Sequence, residues 1–442
     1  MSTDLGTPTE QPRLISRDLL RCFVSVLGTS IGFFLPLSVV PLYAEQGGTA
    51  SAAGMATVAL LVATVACQLV TPRLILAIGY RWALAIGLTL LGAPTLLLTV
   101  SDSMSTIVGV SVVRGAGFAI AVVSGGAIAA ILIPAKRRGE GLALVGIVGG
   151  GPSMIALPGG VWASAHWGYE SVFVVTSAAT LLALLSVPGL PRRTLKPKTH
   201  GQHGVLAGVR NAGMMRPATI FVASTVAAGV LVTFLPLATT SEPVWVASAA
   251  LLAQTAASTV SRWVAGRLGD RYGAGNLLAP GLVLAAVGIG AIAATHVAVA
   301  VIGGALVFGA GFGLLQNATV TLMYVRVPAG GEGAASAIWN AAYDLGMAAG
   351  ALCAGLLVAS TGYPAVFILS AAVMLPALLV VRRDQGQTEP PTRLITQHER
   401  MSGPWPRGSR RVLPLAVGPS SRTLDPMGAR RYCRQPVMKS RF

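Results

Sequence analysis

Charge is what this sequence has least of. Only 11% of its 442 residues are Asp, Glu, Lys or Arg, and just 15 are acids, where a soluble domain carries about a quarter charged residues. That shortage excludes a water-facing globule and points to lipid as the solvent. Cysteine is scarce too. Cys22, Cys67 and Cys353 sit in apolar runs, and none of the four, Cys433 included, stands at metal-ligand or redox spacing. A disulfide framework and a zinc site are thereby excluded, and the thiols read as small hydrophobes. No nucleophile–base or metal constellation emerges, so neither an enzyme nor a cofactor is expected. His200 and His203 form one sparse His-x-x-His pair in a polar loop, which is too little for a metal centre.

What the chain has instead is apolar length. Hydrophobic residues make up 53% and glycines number 53, with mean hydropathy +0.70. A spanning helix needs about 20 mostly apolar residues. Runs of that kind lie near 19–43, 51–71, 82–100, 104–133, 142–163 and 171–190. After a polar segment, six more lie near 217–238, 244–265, 277–294, 299–324, 335–359 and 364–381. The first run follows Arg13, Arg17 and Arg21 and is too long for a signal-peptide core, so a retained first span is expected.

The net charge of +17 suggests nucleic acid until its placement is read. Basic residues fall on alternate connections: Arg73 and Arg81; Lys136, Arg137 and Arg138; Arg192 to Arg216; Arg262, Arg267 and Arg271; Arg326. The connections around Glu45, Asp102, His166, Glu242, His296 and Thr361 hold no Lys or Arg. This is the positive-inside bias, and it predicts a multi-pass protein of the inner or plasma membrane with both termini in the cytoplasm. From Arg382 the chain turns polar: its last 61 residues carry 13 bases against four acids, a net +9. A disordered basic tail attracted to anionic lipid headgroups is expected there, and no nucleic-acid module accompanies it.

A repeat underlies the twelve runs. Gly115-Ala116-Gly117-Phe118 returns as Gly309-Ala310-Gly311-Phe312, 194 positions later. The same offset carries Arg73-Leu74 onto Arg267-Leu268, Pro134-Ala135 onto Pro328-Ala329, and Gly168-Tyr169 onto Gly362-Tyr363. Phe34-Leu35-Pro36-Leu37 recurs at Phe234 to Leu237 with an offset of 200. Six spans per copy is an even number, so the copies enter the membrane from the same face and form parallel repeats. The expected fold is all-α and polytopic: twelve transmembrane helices in two parallel six-helix halves, 19–190 and 217–381. They are joined by a cytoplasmic linker, 191–216, and flanked by a segment 1–18 and the tail 382–442.

With those motifs placed, the chain resembles the major facilitator superfamily, and within it bacterial drug:proton antiporters and arabinose-efflux-like permeases. Gly266-Arg267-Leu268-Gly269-Asp270-Arg271-Tyr272-Gly273 is similar to the superfamily signature between two spans of a half; in the first copy Pro72 and Leu76 replace the equivalents of Gly266 and Asp270. Arg114-Gly115-Ala116-Gly117 resembles the fourth-helix motif with its buried arginine. The stretch from Gly146 through Gly151-Pro152 to Gly160 resembles the antiporter motif of the fifth helix, with Pro158 departing from it. The resemblance implies secondary transport, tilted towards export.

Two ionisable residues stand deep in spans. Arg114 and Asp344 each lie about ten residues, or about 15 Å, into their helices. Such groups are costly in lipid and are functional candidates by default. Burial disfavours a carboxylate and a nearby cation favours it, so proton and cationic substrate are expected to compete at Asp344, with Arg114 as its coupling partner. Binding groups are sought on spans one, four, seven, ten and eleven, and the candidates are Phe34, Phe234, Gln316, Asn317, Trp339, Asn340 and Tyr343. The spacing of Trp339, Asn340, Tyr343 and Asp344 gives them one helical face. Gating candidates are Gly266, Asp270 and Arg271, with Asp270 capping a helix or pairing with a neighbouring arginine, and the kink at Gly151-Pro152. The expected function is proton-coupled efflux of small amphipathic or cationic compounds, with protons, substrate and bilayer as partners and no oligomer required. The alternatives are transport of a polar metabolite, such as a sugar or amino acid, and a non-transporting membrane sensor on the same fold.

Overall fold

Glycines with positive φ set the corners of this molecule. The computed structural model describes residues 16–46, 50–133, 144–145, 147–190, 211–327 and 332–385. Gly79, Gly168, Gly273 and Gly362 have φ of 83°, 81°, 85° and 77°, a region that residues with a Cβ avoid. They form two pairs, each separated by the 194 residues of the repeat, so the duplication is written in the backbone as well as in the sequence.

The first helix, α1, runs from Arg17 to Gln46 with a turn at 35–38 around Pro36. Then come α2 (Ala50–Ile78), α3 (Tyr80–Thr99) and α4 (Met104–Leu132). The apolar stretch Ile147–Gly189 is divided at Gly168 into α5 (147–167) and α6 (169–189). The second copy comprises α7 (Ala212–Ala238), α8 (Trp245–Tyr272), α9 (Ala274–Ala291) and α10 (Ala298–Arg326). The helical run Glu332–Gln385 divides at Gly362 into α11 (332–361) and α12 (363–385). Nine stretches among the described residues are long and apolar enough to cross a membrane. Two of them are such double spans, and the more polar α8 completes twelve. An even number of crossings returns both ends of the bundle to one face, here the terminal face; the other is the distal face.

Local chemistry starts several of these helices. Ser16 and Ser103 accept from the amides of Leu19 and Thr106 at 3.1 and 3.3 Å, and Asn211 accepts from Gly213 at 2.9 Å, each satisfying a donor that the first turn leaves free. Within each half the helices are drawn together by glycine. A Cβ on Gly115 would strike the Leu60 carbonyl, and one on Gly309 the Gln254 carbonyl. Gly117 closes on Gly87 as Gly311 closes on Gly281. All of these contacts are related by the repeat. Close backbone approach is what holds helices together in lipid, where apolar burial between them gains little. Large apolar side chains such as Leu185, Val299, Leu356 and Leu379 are exposed around the outside, as a lipid-facing surface requires.

Two expectations change here. The eighth span was expected to end near 265, but α8 runs on to Tyr272. The signature from Gly266 to Tyr272 is therefore its last two turns, and the connection shrinks to Gly273. Arg262 accordingly sits inside the helix rather than on a basic connection. The matches at Pro134-Ala135 and Pro328-Ala329 lie outside the described residues. So do the bases 136–138 and 192–210, His200, His203, Cys433 and the tail beyond 385.

Candidate functional site

Three hydrogen bonds join the two halves among the described residues, at three depths. At the distal rim, the Tyr363 hydroxyl donates to Glu45 Oε1 at 2.9 Å. About two turns down, the hydroxyls of Thr57 on α2 and Thr233 on α7 lie 3.2 Å apart. Deepest, Gln68 Nε2 on α2 donates to Asp344 Oδ2 on α11 at 3.2 Å. Gln68 is 18 residues, about 27 Å, from the distal start of its helix and about 15 Å from the other end. The distal side is also sealed by backbone: a Cβ on Gly54 would lie 2.5 Å from the Ala351 carbonyl and 3.2 Å from Gly355. A single hydrophobic cluster spans this closure, with Phe33, Leu60, Leu61 and Leu157 of one half and Phe221, Leu231 and Met347 of the other.

Asp344 is only 6% exposed, and Gln68 is its hydrogen-bond partner among the described residues. The expected partnership with Arg114 is not formed. Arg114 is fully buried in α4, where its Nη2 donates to the Gly32 carbonyl of α1 at 3.1 Å. Its Nε has no partner among the described residues. The arginine lies about 15 Å from the distal end of α4 whereas Asp344 lies below the midpoint of α11, so different depths keep them apart.

Rings gather beside the acid. Trp339 stacks on Phe221 with centroids 4.7 Å apart and an interplanar angle of 14°. Tyr343 lies 6.0 Å from each of them and 6.3 Å from Phe312. Trp339 Nε1 donates to Thr319 Oγ1 of α10 at 3.1 Å. On the first half, Phe33 stacks on Phe118 at 3.7 Å and meets the half-buried Phe34 edge-on at 5.1 Å. Gln316 is buried with Oε1 unpartnered among the described residues. Half-buried Asn317 lies beside Gly266.

Other expected site residues are placed elsewhere. Phe234 has no exposed surface and packs at the sealed distal side near Tyr363 and Gly355, so it lines no opening in this conformation. Asn340 is exposed and donates to its own helix at Ser336 O, 2.8 Å away, because a short amide one turn back reaches its own backbone before any neighbour. Asp270 caps no helix N-terminus among the described residues. It is exposed in the last turn of α8, and the flanking guanidinium groups lie over rings instead: Arg267 over Trp263 at 3.5 Å and Arg271 over Tyr272 at 5.3 Å. The only ion pair among the described residues is Arg21–Asp18. Gly151 and Pro152 do form a turn, between the helical segment ending at Gly150 and Ser153.

Sequence reasoning missed Gln68, Arg262, Phe221, Phe312 and Thr319. The first two had a signal. Gln68 is a lone amide in an apolar run, and the 194-residue offset carries it onto Arg262.

These observations define a duplicated, twelve-helix membrane protein whose halves are sealed on one side and meet at a buried polar pair. The chain belongs to the Major Facilitator Superfamily, whose family model matches residues 22–242 and again 221–421. It is 34% identical over 140 residues to an uncharacterised MFS-type transporter of Mycobacterium tuberculosis, across 31% of this chain. It is similar to the same degree to the tetracenomycin C resistance and export protein of Streptomyces glaucescens, across 30% of this chain. Those stretches span 23% and 24% of the relatives' own lengths, about a quarter. Crystal structures of a mutant of the nucleoside transporter NupG and of NupG superpose with TM-scores of 0.67 and 0.64 at 15% identity. They cover 83% and 84% of this chain and 99% of each structure, a likeness of fold.

Proposed function

We propose that this protein is a secondary active transporter that exports small amphipathic compounds in exchange for protons. The observation that carries the reading is the Gln68–Asp344 hydrogen bond, a buried carboxylate held at the seam of two bundles. The basic residues near the terminal face favour the cytoplasm on that side, and the distal seal then corresponds to a state closed to the outside. Rocking the halves about the seam separates Tyr363 from Glu45 and Thr57 from Thr233 as the distal side opens, and it changes the wetting of Asp344. Burial favours the protonated carboxyl, whereas water or a cationic group favours the carboxylate. A proton taken up from outside is thus released towards the cytoplasm as substrate binds, and the two ligands drive each other in opposite directions. Arg114 fixes α4 to α1 through Gly32 and takes no proton in this scheme. The fifth-helix resemblance and the export function of the Streptomyces relative support the direction.

The test is substrate-dependent proton movement in inside-out vesicles. Asp344→Asn is expected to abolish pH-dependent export while leaving the protein in the membrane at wild-type level. Transport that keeps its pH dependence in Asp344→Asn refutes the role of this carboxylate.

A further inference from the structure

Arg262 is a second embedded cation. It lies ten residues, about 15 Å, from the end of α8 at Tyr272. The repeat relates it to Gln68, and it relates Asp344 to Gly150. On one side of the molecule α2 packs against α11 and Gln68 finds Asp344. On the other, α8 packs against the helical run Ser153–Leu182, and the repeat puts an exposed glycine, beside which a Cβ would meet nothing within 4 Å, at the position that matches the acid. Where the first interface has an acceptor, the second has none at the matching position.

The surroundings of Arg262 fix where it faces. Four residues before it, Ser258 packs on Gly313 of α10, and four after it Gly266 lies 3.8 Å from Asn317 Nδ2. Arg262 therefore leaves α8 between those two turns, with an exposed side chain. Tyr343, next to Asp344 in the chain, lies near the Arg262 guanidinium. No carboxylate pairs with it among the described residues. An embedded guanidinium is costly unless something pairs with it, and its fork of donors matches a carboxylate or phenolate. The stacked faces of Phe221 and Trp339 lie within 6.0 Å of Tyr343.

We propose that Arg262 binds the acidic group of an amphoteric aromatic substrate, whose rings lie against the half-buried Trp339 and Tyr343, backed by the fully buried Phe221, and whose amine reaches Asp344. This rests on the export reading and narrows it. A permanent cation lacking an acid is repelled by Arg262, and an acid lacking an amine leaves the proton on Asp344 in place.

The experiment compares a fluorescent fluoroquinolone, which carries a carboxylate and an amine, with its ethyl ester, which keeps only the amine. Both are measured in inside-out vesicles under a proton gradient, with protein levels matched. Wild type is expected to export the parent with about tenfold higher kcat/KM than the ester. Arg262→Gln removes that preference by lowering the parent about tenfold without lowering the ester, and Arg262→Lys restores part of it. A wild type that prefers the ester, or an Arg262→Gln that lowers both compounds equally or neither, overturns the proposal while proton-driven movement of the ester leaves the export reading standing. If wild type moves neither compound, both readings fall.

Discussion

Leu60 meets Gly115 as Gln254 meets Gly309, and Gly87 meets Gly117 as Gly281 meets Gly311, yet the charged positions deep in the spans differ between the two halves. Arg114 of the first half corresponds to Phe308 of the second, both fully buried. Asp344 corresponds to Gly150, and Arg262 to Gln68. Tyr169 accepts from Gln46 within its own half at 3.2 Å, whereas Tyr363 crosses the seam to Glu45. The difference teaches that backbone proximity is the shared requirement. Two helices touching at glycine demand the same residue in both copies, because any Cβ collides with a carbonyl that cannot move. Polar groups at the seam need only one partner each, so the copies have divided them.

The sharpest way to break that symmetry is at its strictest point. Gly309→Leu and Gly115→Leu are both expected to prevent accumulation of folded protein, to a similar extent, measured as the monodisperse fraction after detergent extraction. A large loss in one half and none in the other would show that the halves are not packed alike. A smaller effect is expected at the rim. Tyr363→Phe removes a bond worth about 1 kcal/mol, and should shift the balance towards the distally open state about fivefold, read from accessibility of a cysteine placed at Thr233. Tyr169→Phe, which breaks a bond inside one half, should leave that balance unchanged. The smallest effect belongs to Asn340→Ala. Its amide serves only its own helix, so transport should stay within about twofold of wild type; a larger loss would return Asn340 to the site.

The fold was legible because it rests on properties that sum along the chain. Apolar length, the side of the arginines and a fixed offset all survive errors of a few residues. The acid at Asp344 was legible because an isolated charge in lipid is conspicuous. Its partner was not. Gln68 is uncharged, a hydropathy window absorbs it, and nothing local says that α2 lies against α11 rather than Arg114 beside Asp344. Arg262 was misplaced for a related reason. The end of α8 is set by Gly273, whose amide bonds back to Gly269 at 2.9 Å, while apolar composition fades a good seven residues earlier. Asp270 shows the limit of motif reading, since identical letters serve a turn or a helix end, and here the rings of Trp263 and Tyr272 draw the arginines away from it.

The corners at Gly168 and Gly362 have one more consequence. A single glycine at positive φ joins the two prongs of each hairpin, so little chain separates their motions. Each hairpin, α5 with α6 and α11 with α12, is therefore expected to tilt as a unit, the prong bearing Asp344 carrying its neighbour with it.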